Sequence, residues 1–131
     1  MNEHSWLKVW REGFAPIISM GALNALAEAL RTDDARLIQG GTTTPPPLWC
    51  VKDWGVEGAC ALAYCGWIGD ELKSVGEVEE YFARMCFECD NRLEEAAACR
   101  FFLNWLDETP RYEMRRLLVA AVEEEINKRV D

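Results

Sequence analysis

The sequence predicts an all-α fold, and three observations carry that prediction. Apolar residues recur at steps of three and four along most of the chain, the period of a helix with one buried face. No stretch alternates convincingly with a period of two, so strands are expected to be absent or marginal. The third observation is the stretch from Ser74 to Leu93. Ser74 and Glu77 form an S-x-x-E capping box, in which each side chain satisfies a backbone N–H of the first turn. Behind it, Val75, Val78, Phe82, Met85, Cys86, Cys89 and Leu93 form one apolar stripe. Glu80, Arg84, Glu88 and Arg92 alternate in sign on the other face, each pair contributing about 0.2–0.5 kcal/mol.

The other elements follow in order. Ser5 to Arg11 is a short helix with Trp6, Val9 and Trp10 on one side; Gly13 ends it and Phe14-Ala15-Pro16 turns the chain. A second helix starts at Ser19 as N-cap and runs to Arg31, burying Leu23, Leu26, Ala27 and Leu30. Thr32-Asp33-Asp34 breaks it. Residues 39–49 contain two glycines, three threonines and three prolines, which exclude a helix and impose a stiff polyproline-like stretch. Asp53 is the expected N-cap of a helix to Trp67, with Val56, Cys60, Ala63 and Tyr64 inward. After the Ser74 helix, Glu94-Glu95 open a short helix through Leu106 with Ala98, Phe101, Phe102 and Trp105 inward. Thr109-Pro110 then reads as N-cap plus proline at the first helical position, starting a last helix to Arg129.

About six helices are therefore expected in a single domain spanning 1–131: N-terminal helices over 5–38, a Pro-rich crossover over 39–52 and a four-helix unit over 53–131. Glu57-Gly-Ala-Cys60…Trp67 echoes Glu95-Ala-Ala-Ala-Cys99…Trp105, each followed by a capped long helix, which suggests two helical hairpins. A chain of 131 residues, half of them hydrophobic and six of them tryptophan, buries enough surface to fold without metal or disulfide.

The formal net charge is −9. Residues 53–108 hold thirteen acids against four bases, while the segments on either side balance. That field repels phosphates, so direct nucleic-acid binding is disfavoured; it suits solubility or docking on a basic protein. No apolar run is long enough to span a membrane. Glu3 and Glu12 spoil a signal-peptide reading of the N-terminus, and a cytoplasmic location is expected.

Catalytic motifs are lacking. His4 is the sole histidine and sits at the N-terminus; no Walker, dinucleotide or H-E-x-x-H motif occurs. Asp53, Glu57, Asp70 and Glu71 could converge at helix ends, but no Glu-x-x-His accompanies them. The Gly/Thr loop Gln39–Thr44 could hold an anion, yet no lysine follows it. Cys86-Phe-Glu-Cys89 has C-x-x-C spacing, and Cys60 and Cys99 could join it as a thiol redox or metal site. Its position in mid-helix favours core cysteines instead. No catalytic residue, cofactor or metal is assigned.

The best-motivated surface is the crossover, where Thr43, Pro46, Trp49 and Trp54 bring rigid prolines and indoles into an irregular segment. The expectation is a non-enzymatic interaction or regulatory module binding a protein partner, either a second copy as a homodimer or a basic protein. The alternative is a thiol or metal protein built on Cys86 and Cys89.

Overall fold

The computed structural model describes residues 5–130. Helix α1 (Trp6–Val9) begins on Ser5, whose hydroxyl accepts the Lys8 N–H at 3.2 Å. Gly13 does not stop the helix. The chain instead widens into a π-helical turn over Trp10–Phe14 and tightens into a 3-10 turn over Ala15–Ile17. A Cβ on Gly13 would fall onto the Cys89 sulfur, so this glycine serves close packing rather than termination.

Helix α2 (Met20–Thr32) has the expected cap: Ser19 Oγ accepts from Ala22 N–H at 3.1 Å and donates to the Asp70 carboxylate at 2.7 Å. Asp33, in the left-handed conformation with φ 55°, ends it. Arg111 closes over that end, donating to the Asp33 carboxylate at 2.7 Å and to the carbonyls of Leu37 and Asp34 at 2.8 and 3.0 Å.

The helix expected from Asp53 starts eight residues later. Asp53 is exposed, and α3 is only Ala61–Tyr64, continued by a π-helical turn over Cys65–Gly69. Residues 52–54 lie in turns, and residues 55–60 form no helix because both sides of their backbone find other partners. Strand β1 (Thr43–Thr44) pairs antiparallel with β2 (Gly58–Ala59), and Ala59 also bridges Leu37. On the other side, Val56 N–H donates to Lys73 O, and Val75 and Gly76 N–H donate to Trp54 O and Lys52 O. Gly55 and Gly58 weaken any helix here, and this pairing satisfies the backbone instead. The echo between the two Cys-containing segments therefore does not extend to their backbones.

Helix α4 (Val75–Leu93) carries the full capping box, with Glu77 N–H to Ser74 Oγ and Ser74 N–H to Glu77 Oε1 both at 3.2 Å. Its buried stripe is Val75, Val78, Tyr81, Met85 and Cys89. Tyr81, three residues after Val78 and four before Met85, holds the central place expected of Phe82, which is half-buried with Cys86 on the flank. Glu94-Glu95 open no helix: Glu94 ends α4 in the left-handed conformation, and α5 (Cys99–Glu108) follows a short loop. Thr109 donates its hydroxyl to Trp105 O at 2.6 Å, closing α5, and α6 (Arg111–Val130) follows after Pro110.

Helix α6 lies chiefly along α2 and also meets the N-terminal turns, so the two halves share one core. Phe102 is its aromatic centre, with ring centroids 5.5 Å from Trp10 and 5.3 Å from Phe14. The result is one mainly helical domain of six α-helices and a two-stranded ribbon among the described residues. No described helix is long and apolar enough to cross a membrane.

Candidate functional site: an exposed tryptophan loop

The crossover is an ordered loop built from successive turns. Leu48 N–H donates to Pro46 O, Val51 N–H to Leu48 O and Trp54 N–H to Val51 O, each at 2.9 Å. Val51 is buried and anchors the middle, while the bonds from Val75 and Gly76 tie its far end to the first turn of α4. Thr43 anchors the near end. Its hydroxyl lies 2.7 Å from Glu79 Oε2 and 2.9 Å from Pro45 O, and the side chain is buried. Thr43 is therefore an internal pin, correcting its assignment as a contact residue. The β1–β2 pairing turns it toward α4.

The other assigned residues face outward. Pro46 is exposed, Trp49 is 87% exposed and Trp54 58%. Leu48, 57% exposed, joins them, though the sequence reading passed over it. Its signal was its place between Pro47 and Trp49, in a segment that cannot turn a helical face inward. A free indole facing water is unfavourable by roughly 25 cal/mol per Å² of apolar surface, and each of these two exposed indoles is surface that a partner can cover. Phe87 and Tyr112 are also exposed, on α4 and α6.

The Gly/Thr loop is already engaged with an internal anion. Gly40 N–H donates to Asp107 Oδ1 at 3.0 Å, and Gln39 Nε2 donates to the carbonyls of Leu106 and Thr109 at 2.8 and 2.7 Å. These bonds fix the loop on α5. A cleft of about 280 Å³ opens between it, Phe82 and Arg100, with Cys60 among its walls.

The thiols are distributed differently from the C-x-x-C pattern. Cys89 points inward against Gly13, whereas Cys86 is half-buried on the flank of α4 and Cys99 is buried at the start of α5. Burial pushes Cys60 up to about 11 and Cys89 up to about 12, and it raises Cys65 still further. The neighbouring Cys99 thiol, followed by burial, raises Cys86, and Cys86 in turn lowers Cys99 against the opposing effects of burial and Asp90. Among the described residues no three His, Cys, Asp or Glu side chains are grouped to hold a metal ion. Of the four carboxylates considered for catalysis, Asp70 is bound to Ser19 and Asp53 stands exposed. His4 lies outside the described residues.

No protein-family model, curated protein or solved structure matches the chain.

Proposed function

We propose that the protein is a non-enzymatic interaction module that associates with a second copy of itself through the 45–54 loop. The observation that supports this reading is the exposure of Trp49, 87%, on a backbone fixed by turns and pinned at both ends. Tryptophan anchors contribute disproportionately to protein interfaces, and a loop already held in place loses little entropy when it docks. Around a two-fold axis the same loop serves both copies, so Leu48, Trp49 and Trp54 of one copy meet those of the other. The −9 charge on each copy opposes association, and added salt screens that repulsion.

Sedimentation velocity over a concentration series tests the reading. The expected result is a monomer–dimer equilibrium that shifts toward dimer as salt is added, with Trp49→Ala weakening association at least tenfold, equivalent to about 1.4 kcal/mol. A parent protein that stays monomeric at every concentration and salt overturns self-association. The acidic 53–108 segment favours a basic protein as the second reading. Binding to such a partner would weaken, rather than strengthen, as salt is raised.

A further inference from the structure

Arg100, Leu103, Asn104 and Asp107 lie at steps of three and four on α5, which places them on one face of the helix. All four line the cleft of about 280 Å³, whose other walls come from the Gly40–Thr42 loop and from Phe82 of α4. These walls are fixed before any ligand arrives. Gly40 N–H is bound to Asp107, Gln39 holds the end of α5, and Cys60 N–H donates to Thr42 O at 2.9 Å. A preformed cleft loses little entropy on binding.

The polar groups of the cleft divide into spent and unspent. Gly40 N–H and one Asp107 oxygen satisfy each other. Among the described residues, the side chains of Arg100, Asn104 and Thr42 make no hydrogen bond or ion pair. Arg100 differs in this from the other arginines of the acidic segment. Arg84 lies over the Tyr81 ring at 5.6 Å, and Arg92 donates to Glu12 O at 2.9 Å. Phe82 and Leu103, both half-buried, add apolar surface beside these free donors.

We propose that this cleft binds a small monocarboxylic acid, with the carboxylate on the Arg100 guanidinium and an apolar body against Phe82 and Leu103. The inference is independent of the 45–54 loop and its role in association. A guanidinium presents parallel N–H donors that match the two oxygens of a carboxylate. Asn104, one turn further along α5, offers amide N–H donors to the same anion. Charge selects a carboxylate over a phosphate. One arginine balances one negative charge, whereas a dianion leaves an excess that faces Asp107 in a chain of net charge −9. Size sets the second limit. The cleft is slightly smaller than the usual ligand pocket of about 300–1,000 Å³, so the apolar body is a single ring or a short chain.

The test is a titration of the full chain with phenylacetate, followed by amide proton–nitrogen NMR. Phenylacetamide, its uncharged counterpart, and phenyl phosphate, a dianion, are titrated alongside. The expected result is saturable shifts at the amides of Gly41, Thr42, Leu103 and Asn104 and at Arg100 Nε. Phenylacetamide and phenyl phosphate should each bind at least tenfold more weakly, as should phenylacetate to Arg100→Gln. That variant should keep the parent melting temperature, because the Arg100 side chain has no partner in the folded protein. Asn104→Asp, which sets a second carboxylate one turn from Arg100, should abolish saturation. The proposal is overturned if phenylacetate gives no saturable shift up to roughly 10 mM. Equal affinity for phenylacetamide, tighter binding of phenyl phosphate, or parent-like binding by Arg100→Gln would overturn it as well.

Discussion

The indole of Trp6 lies flat on the indole of Trp105, with ring centroids 3.8 Å apart and planes 6° from parallel. Ninety-nine residues separate them in sequence, so this stack ties α1 to α5 and closes the side of the core built around Phe102. Both rings are half-buried.

Trp105→Ala removes the stack and the ring contact with Phe102 together. A fully buried tryptophan truncation costs about 3–5 kcal/mol, and partial exposure brings the expected loss here to about 2 kcal/mol. Urea unfolding measures it. A variant as stable as the parent would place the stack outside the cooperative core.

Gly13 and Cys89 make a stricter test, because the fold leaves no room for a Cβ between them. Gly13→Ala should destabilise by about 1–3 kcal/mol through overpacking. Cys89→Ala in the same chain shortens the obstructing side chain and should recover a large part of that loss. A double-mutant cycle with no coupling would contradict the close approach of the N-terminal π-helical turn to α4.

The α4–α5 loop holds Glu94 and Ala97 at φ 54° and 63°, a conformation that side chains disfavour by about 1–2 kcal/mol. Ala97→Gly relieves that strain but enlarges the freedom of the unfolded chain, so a net gain of about 0.5 kcal/mol is expected. Asp90→Ala acts in the opposite direction, leaving two backbone N–H groups without their charged acceptor, at a cost of about 2 kcal/mol. Thermal unfolding of the two variants should move to opposite sides of the parent.

Acid sensitivity should trace to the α2 terminus. The hydrogen bonds from Arg36 hold the Asp34 carboxyl well below the usual range, and Arg111 lowers Asp33. A carboxyl whose folded pKa is depressed contributes stability above its unfolded value of about 3.9, and that contribution is lost as pH falls through the folded value. Stability should therefore decline below about pH 4. Asp34→Asn should flatten the decline, measured as urea midpoints between about pH 2 and 6. An unchanged slope would show that Asp34 has no net linkage.

Much of the helical plan was legible. The Ser74–Glu77 box, the Ser19 cap and the apolar stripe of α2 are local features, and the structure keeps them. What the sequence hid was decided by distant partners. Asp53 has the chemistry of an N-cap, but the following residues pair with Thr43, Lys73 and Ser74 instead. Gly13 looks like a stop until Cys89 is placed against it. At the candidate surface, proline content showed that 45–54 could not bury its side chains along a helix, which located Trp49 and Trp54. Thr43 was misassigned because a threonine beside a proline run carries no mark of which way its strand faces.

Disulfide trapping through Cys50 tests the self-association claim most directly, because this exposed thiol sits beside Trp49 on the proposed contact surface. Copper–phenanthroline oxidation is followed on non-reducing gels at a concentration where sedimentation finds the parent dimeric. The expected result is rapid Cys50–Cys50 crosslinking in the parent and slow, collision-limited crosslinking in Trp49→Ala, which retains Cys50. Equal rates in the two proteins would contradict docking through the loop.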